Sequence, residues 1–331
     1  MTAPGGADLT RRIECHEAQV WARCLEEVGC AAGPAGEQLV PTRIEMGSAT
    51  VFALRGLDFV DVNRVLGVGL DGSYGPDQVG TIISTYGELG LKRYQLEIVE
   101  GAPSPDEKLL EAVGLVRHPD PIWTVWRWLD ELPAPETDVA VRVLEPSDRR
   151  QVAELQRTAW GVWEPDESHD LWFGATLGTA GFTYFGALID DHLVSVGALC
   201  VDGDTAWAGF DATHPRLRRK RLRHELGVAR LRRAAELGCD LIHGDMYYPP
   251  KRRTWRLAHR KARWLPCTCA EAPRLSKGDR DRSTSFDAPN ARGRMNDDAA
   301  STGRPGRVPT VSQQAIAPSA KVEREALRER L

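Results

Sequence analysis

Apolar and polar residues recur along this chain with two periods. In residues 14–28, Ala18, Trp21, Ala22 and Leu25 fall at helical spacing, which predicts an amphipathic helix. Residues 42–49 and 50–55 read as short strands around Met46-Gly47-Ser48, and 59–68 mix apolar residues with Asn63 and Arg64. Residues 76–89 open at Pro76 and close before Gly90, the terminal residues of a helix. Residues 93–99 alternate as a strand, 105–113 form a short helix stopped by Gly114, and the aromatic-rich 122–129 reads as another strand. Helices alternating with strands predict an α/β unit over residues 8–133.

Pro133-Ala134-Pro135-Glu136-Thr137 then marks a stiff, solvated connection, which sets a linker at 134–138. Beyond it, 139–144 read as a strand and Pro146-Ser147-Asp148 as a helix start. That helix continues through Val152 and Leu155, and an acidic loop follows Trp160 through Glu164-Pro165-Asp166-Glu167. Residues 183–189 and 193–201 are two strands joined by the hairpin turn Asp190-Asp191-His192.

The densest pattern lies in residues 207–246. A strand, Trp207 to Thr213, leads into the turn His214-Pro215 and the basic loop Arg216-Leu217-Arg218-Arg219-Lys220-Arg221-Leu222-Arg223. A helix follows to Leu237 and ends at Gly238, and residues 239–246 read as a buried strand. On the helix, Arg230, Arg232 and Arg233 are expected on a solvated face, and His243 is expected to be a satisfied core histidine. A loop between a strand and a helix start is an anion site, because the first helical turn has unpaired N–H groups and a positive dipole end. Cations clustered at the same place point to phosphate or pyrophosphate.

Thr213-His214-Pro215 followed by Arg218 resembles the acyl-CoA-binding segment of the GNAT superfamily of N-acetyltransferases. That segment is a strand, often with Thr-x-Pro, then R/Q-x-x-G-x-G/A and a helix. The order of elements over residues 139–248 is similar to that family's, and 8–133 is more weakly similar to the first half of a two-part GNAT-like protein. In the first half, Gly67-Val68-Gly69 is too short a glycine signal for a phosphate loop and reads as a strand-end turn.

The resemblance implies an α/β (α+β) fold of two GNAT-like mixed-sheet domains with flanking helices. Residues 8–133 form a domain without cofactor and 139–265 the acetyl-CoA-binding domain. It implies transfer of an acetyl group from acetyl-CoA to a primary amine of a small molecule or peptide. Ala212, Thr213, Arg218, Arg219, Lys220, Arg221, Leu222 and Arg223 would hold the cofactor. Asp211 and Tyr248 would serve catalysis, a carboxylate on the central strand and a phenol after the next one. The pattern's two glycines fall on Arg221 and Arg223, and the helix tyrosine usual in the family has no counterpart in residues 254–259. A second reading therefore stays open, a catalytically inactive acyl-CoA-binding or protein-interaction member.

Composition narrows the classes. The chain has 331 residues, 42% hydrophobic and 27% charged, with a formal net charge of −4, so the basic loop is local and nucleic acid is not expected. No apolar run approaches the ~20 residues that cross a bilayer, and the first residues lack the features of a signal peptide, which predicts a cytoplasmic protein with no membrane partner. Seven cysteines at scattered spacing predict free thiols, and Cys267-x-Cys269 is too close for a usual zinc pair, so no metal is expected. After residue 248 the family's Gly-Phe and closing strand pair are not found, and residues 266–331, rich in Arg, Asp, Ser, Pro and Gly, predict a disordered tail.

Overall fold

The computed structural model describes residues 6–30, 34–72, 74–102, 106–162, 167–247 and 255–267. The first half of the chain supplies helices α1 (Gly6–Gly29), α2 (Pro34–Gln38), α3 (Pro76–Glu88) and α4 (Glu107–Ala112). Its strands are β1 (Val40–Met46), β2 (Ala49–Arg55), β3 (Arg64–Val68), β4 (Gln95–Val99), β5 (Leu115–Arg117) and β6 (Ile122–Trp128). The second half supplies β7 (Ala140–Val143), α5 (Arg149–Trp160), α6 (Glu167–Gly174), β8 (Phe182–Ile189), β9 (His192–Asp202), β10 (Thr205–Thr213), α7 (Leu222–Glu236), β11 (Leu241–Met246) and β12 (Arg256–Pro266).

The strands join in one twelve-stranded mixed sheet, ordered β1-β2-β3-β4-β12-β6-β11-β10-β9-β8-β7, with β5 paired to β12. Each half contributes an antiparallel run ending in a parallel pair, β3 with β4 and β10 with β11. The two closing strands are exchanged. β6, from the first half, lies antiparallel to β11, with Leu241 opposite Trp128 and Met246 opposite Trp123. β12, from the end of the second half, lies antiparallel to β4, with Lys261 opposite Val99. β6 and β12 also pair with each other, so backbone hydrogen bonding runs unbroken between the halves.

Both faces of the sheet are covered, as β2 records. Phe52 and Leu54 enter one apolar cluster with Trp21 and Leu25 of α1, Val152 of α5, Phe173 of α6 and Trp207. The alternate residues Val51 and Ala53 enter another with Ile82 and Tyr86 of α3. A strand buried on both faces loses its polar alternation, and β2 is apolar throughout from Ala49 to Leu54 apart from Thr50. The β8–β9 turn is set by Asp190 and Asp191, both at positive φ, which matches the right-handed twist of a two-residue hairpin.

Three sequence expectations change here. A closing strand, not expected after residue 248, is present, since the basic stretch Arg256–Pro266 forms the eleven-residue β12 at the centre of the sheet. Its charges alternate with Ala262 and Trp264, which enter the α3-side core, so a run that looks solvated is amphipathic across the sheet. Glu167, expected in a loop, starts helix α6, whose Trp172 and Phe173 are buried. Arg230, expected in solvent, is buried beneath α7. Apart from Pro266 and Cys267, the expected tail lies outside the described residues.

Candidate functional site

β10 and β11 are nine and six residues long but pair over only three positions, Thr205 with Leu241, Ala206 with Ile242 and Trp207 with His243. Beyond Trp207 the pairing stops, although the Ala208 carbonyl still lies against Gly244, where a Cβ would come within 2.3 Å of it. β11 stays on β6 to Met246, while β10 shifts register against β9 between Gly209 and Ala212. Phe210 sits in this bulge at φ 52°, a strained conformation for an aromatic residue. Two side chains of α5 hold it there. Gln156 Nε2 donates to the Phe210 carbonyl at 3.0 Å and Trp160 Nε1 to the Asp211 carbonyl at 3.3 Å. Gly209 is required, since a Cβ there would lie 2.1 Å from the Trp207 ring. Among the described residues, the β10 edge that faces away from β9 is thus unpaired by any strand past Trp207. In the first half, the equivalent parallel pair shifts register between Val65 and Val68 but pairs again at Val68 opposite Ile98.

At the open end of β10, Ala212 is buried and its carbonyl accepts from Ser195 Oγ at 3.0 Å, while Thr213 Oγ1 lies 2.7 Å from Ser195 Oγ. A 3₁₀ turn, Pro215–Leu217, follows, anchored by buried Leu217. Arg218 donates to the Ala159 carbonyl at 2.8 Å, tying the loop to the end of α5. Arg219 and Arg221 both adopt the left-handed region, at φ 68° and 61°. Arg221 is the N-cap of α7 and lacks a capping side-chain bond. Leu222 is buried and fixes the first turn of the helix.

The side chains of the two substituted glycine positions are held by carboxylates. Arg221 pairs with Glu136 of the linker, whose own N–H donates to Glu225 Oε1 at 2.9 Å. Arg223 Nε donates to Asp211 Oδ2 at 3.1 Å. The other oxygen, Asp211 Oδ1, faces Arg230 Nη1 at 2.8 Å. Burial pushes the Arg230 guanidinium down and Asp211 opposes that shift. The pair fits because residue 197 is glycine, since a Cβ would lie 2.6 Å from Asp211 Oδ1. Asp211 therefore has a guanidinium at each oxygen.

No protein-family model matches the sequence, and no curated protein matches it. The fold does have solved counterparts. A GCN5-related N-acetyltransferase from Kribbella flavida is similar with a TM-score of 0.54 at 15% identity, over 77% of this chain and 94% of that one. The chain has the GNAT fold. A tandem GNAT protein from the clavulanic acid biosynthesis pathway is similar at a TM-score of 0.46 and 16% identity, over 75% of this chain and 94% of that one. A GCN5-related N-acetyltransferase from Sphaerobacter thermophilus is similar at 0.44 and 16%, over 66% and 76%.

Within this GNAT fold, the two halves are locked together by buried charge that the sequence did not expose. Lys261 Nζ of β12 is fully buried and lies 2.9 Å from Glu17 Oε2, 2.9 Å from Glu97 Oε2 and 2.8 Å from Asp245 Oδ2. With Glu14 Oε1 at 3.7 Å as a fourth, these carboxylates outweigh the desolvation that opposes its charge, and its pKa rises well above the ordinary lysine value. Arg64 reaches Glu97 at 3.2 Å and stands over the Trp21 ring at 4.1 Å. Glu14 pairs with His259 at 2.7 Å. Glu17 is pushed well above the usual carboxylate range, first by burial and then by Asp245. The convergent carboxylates Glu17, Glu97 and Asp245 thus enclose an ammonium group supplied by the chain itself.

Of the residues expected from sequence, Ala212, Thr213, Arg218, Arg219, Lys220, Arg221, Leu222, Arg223 and Asp211 come together at the open end of β10. Tyr248 lies outside the described residues. His243 is buried, with Nε2 2.8 Å from Nδ1 of His16. Sequence reading missed Glu136 and Arg230, whose roles depend on contacts 85 or more positions away along the chain for Glu136 and on a carboxylate beneath the helix for Arg230. No helix among the described residues is long and apolar enough to cross a membrane.

Proposed function

We propose that the chain is an acyl-CoA-dependent N-acyltransferase, transferring an acetyl group to a primary amine. The observation that carries this reading is the departure of β10 from β11 after Trp207. It leaves an extended backbone edge available to a pantetheine arm, and that edge runs directly into the basic loop. Ala212 and Thr213 would receive the arm. The N–H groups of the turn Arg218–Arg223, at the start of α7, would receive the pyrophosphate, with the Arg219 and Lys220 side chains adding charge.

The arginines at the glycine positions fit this reading. Arg221 keeps the backbone conformation that glycine takes at low cost, and Glu136 and Asp211 draw both guanidiniums to the side. Asp211 enters as the anchor of Arg223 and Arg230, since a guanidinium stands at each of its two oxygens.

In the reaction, the neutral amine nitrogen attacks the thioester carbonyl carbon and a tetrahedral oxyanion forms. Free N–H groups of the β10 edge are the donors within reach of that oxygen. The C–S bond then breaks, the thiolate leaves and takes a proton, and the amine proton passes to solvent. The products are an amide and a thiol. Tyr248, which follows β11 in the chain, is the candidate acid for the thiolate.

Calorimetric titration with acetyl-CoA, with dephospho-CoA as control, tests the reading. Micromolar binding that weakens without the 3′-phosphate is expected, and no binding to either overturns it. The second reading, an inactive acyl-CoA binder, is favoured by Arg221 and Arg223 at the glycine positions. Binding without thiol release across an amine panel would select it.

A further inference from the structure

On the helix-covered face of β10, beside the bulge, a set of aromatic rings is only half buried. Phe59 lies 6.3 Å from Trp160 and 5.9 Å from His169, centroid to centroid. Behind them Phe210 meets the Trp207 ring edge-on at 5.2 Å. Trp160 is the residue whose indole N–H holds the Asp211 carbonyl in the bulge. This wall therefore abuts the point where β10 leaves β11.

Phe59 belongs to the first half of the chain, and its position is built. Asn63, fully buried, accepts from the Leu54 N–H at 2.8 Å through Oδ1. Its amide donates to the carbonyls of Leu57 at 2.9 Å, Phe59 at 3.3 Å and Arg93 at 3.3 Å. A buried amide using its donors and acceptor in this way fixes a turn that carries residues 57–62 over to the second half. Two positions after Phe59, Asp61 Oδ1 accepts from Tyr247 Oη at 2.8 Å. Tyr247 is the residue after β11 and is 41% exposed. One turn thus presents a ring toward α5 and α6 and a carboxylate at the end of β11.

We infer that the acceptor of this site is an arylalkylamine, its ring against Phe59 and Trp160 and its ammonium group at Asp61. The inference rests on the acyl-transfer reading for the word acceptor, but the binding it describes stands apart from it. Aromatic faces favour a flat apolar group and, through their quadrupole, a nearby cation. A polyamine or an amino sugar would desolvate its polar groups against the Phe59 ring, which offers no hydrogen bond. The first half of the chain then has a part in the chemistry, since it supplies both the ring and the carboxylate.

The test is calorimetric titration of the full chain with phenethylamine, with propylamine and spermidine as comparisons and no acyl-CoA present. Phenethylamine should bind about tenfold more tightly than either, the scale of one ring–ring contact and one cation–ring contact. Phe59→Ala should abolish that preference. Phe59→Leu, which keeps apolar volume if the alanine variant fails to fold, should reduce it as well. Asp61→Asn should weaken phenethylamine and propylamine alike. Equal binding of the three amines, or an unchanged preference in both Phe59 variants, overturns the inference. Should acetyl-CoA bind while phenethylamine does not, the acceptor class falls and acyl transfer stands. Should phenethylamine bind while acetyl-CoA does not, the amine site stands and acyl transfer falls.

Discussion

The guanidinium of Arg221 pairs with the carboxylate of Glu136 across the linker, while the Arg221 backbone holds φ 61°, a conformation that glycine adopts at no steric cost. Backbone and side chain therefore pull apart in their demands. Arg221→Gly should raise stability by about 1 kcal/mol, because left-handed strain is removed and the surface pair that is lost contributes little. Chemical denaturation measures it. If the side chain stands clear of the loop, affinity for acetyl-CoA changes less than about threefold.

Lys261 is the single ammonium among Glu14, Glu17, Glu97 and Asp245. Lys261→Met should cost about 3–5 kcal/mol in a urea titration at neutral pH, since it leaves Asp245 and the buried glutamates with only the Arg64 guanidinium, which reaches Glu97 and Glu17. The deficit should narrow as pH falls, because those carboxylates then protonate in the folded variant. A deficit independent of pH would mean that packing, not charge, dominates the loss.

His16 is buried against His243, and its pKa is lowered to about 4, chiefly by burial. The unfolded chain protonates this group near 6.5. Folding is therefore disfavoured progressively as pH drops below about 6.5, and the penalty is complete only below about 4. At pH 5 the expected loss is about 2 kcal/mol relative to pH 7. His16→Gln should flatten that slope.

The exchanged strands make a prediction about cutting the chain. Residues 1–133 alone lack the strand that pairs with β4, and residues 139–331 alone lack the one that pairs with β11. Each fragment should be insoluble or unfolded by circular dichroism, and co-expression should recover one complex. Two independently folded fragments would contradict this.

Local signals in the sequence carried much of the fold. The helix of residues 76–88 was announced by Pro76 and Gly90, and the β8–β9 hairpin by Asp190-Asp191. The order strand, basic loop, helix, strand is also legible, as β10, α7 and β11 follow one another in that order. What stayed hidden depends on partners far along the chain. Arg230 reads as a solvated cation in the sequence, but Asp211 lies beneath it, with Gly197 leaving room for both. β12 looked like a charged run because its counter-ions, Glu14 and Glu17, stand some 240 residues away on α1. Phe59 carried no signal in its own neighbourhood, since its ring meets α5 and α6 of the other half.

The exchange of β6 and β12 also sets a timetable for synthesis. β4 meets β12 through Val99 and Lys261, about 160 residues apart. At ribosomal rates of about 5–20 residues per second, β4 waits roughly ten to thirty seconds for its neighbour to emerge. Throughout that interval the nascent chain carries an open sheet edge, a template for mispairing with other chains. Production yield should therefore respond to chaperone supply and growth temperature more than the stability of the finished protein would suggest.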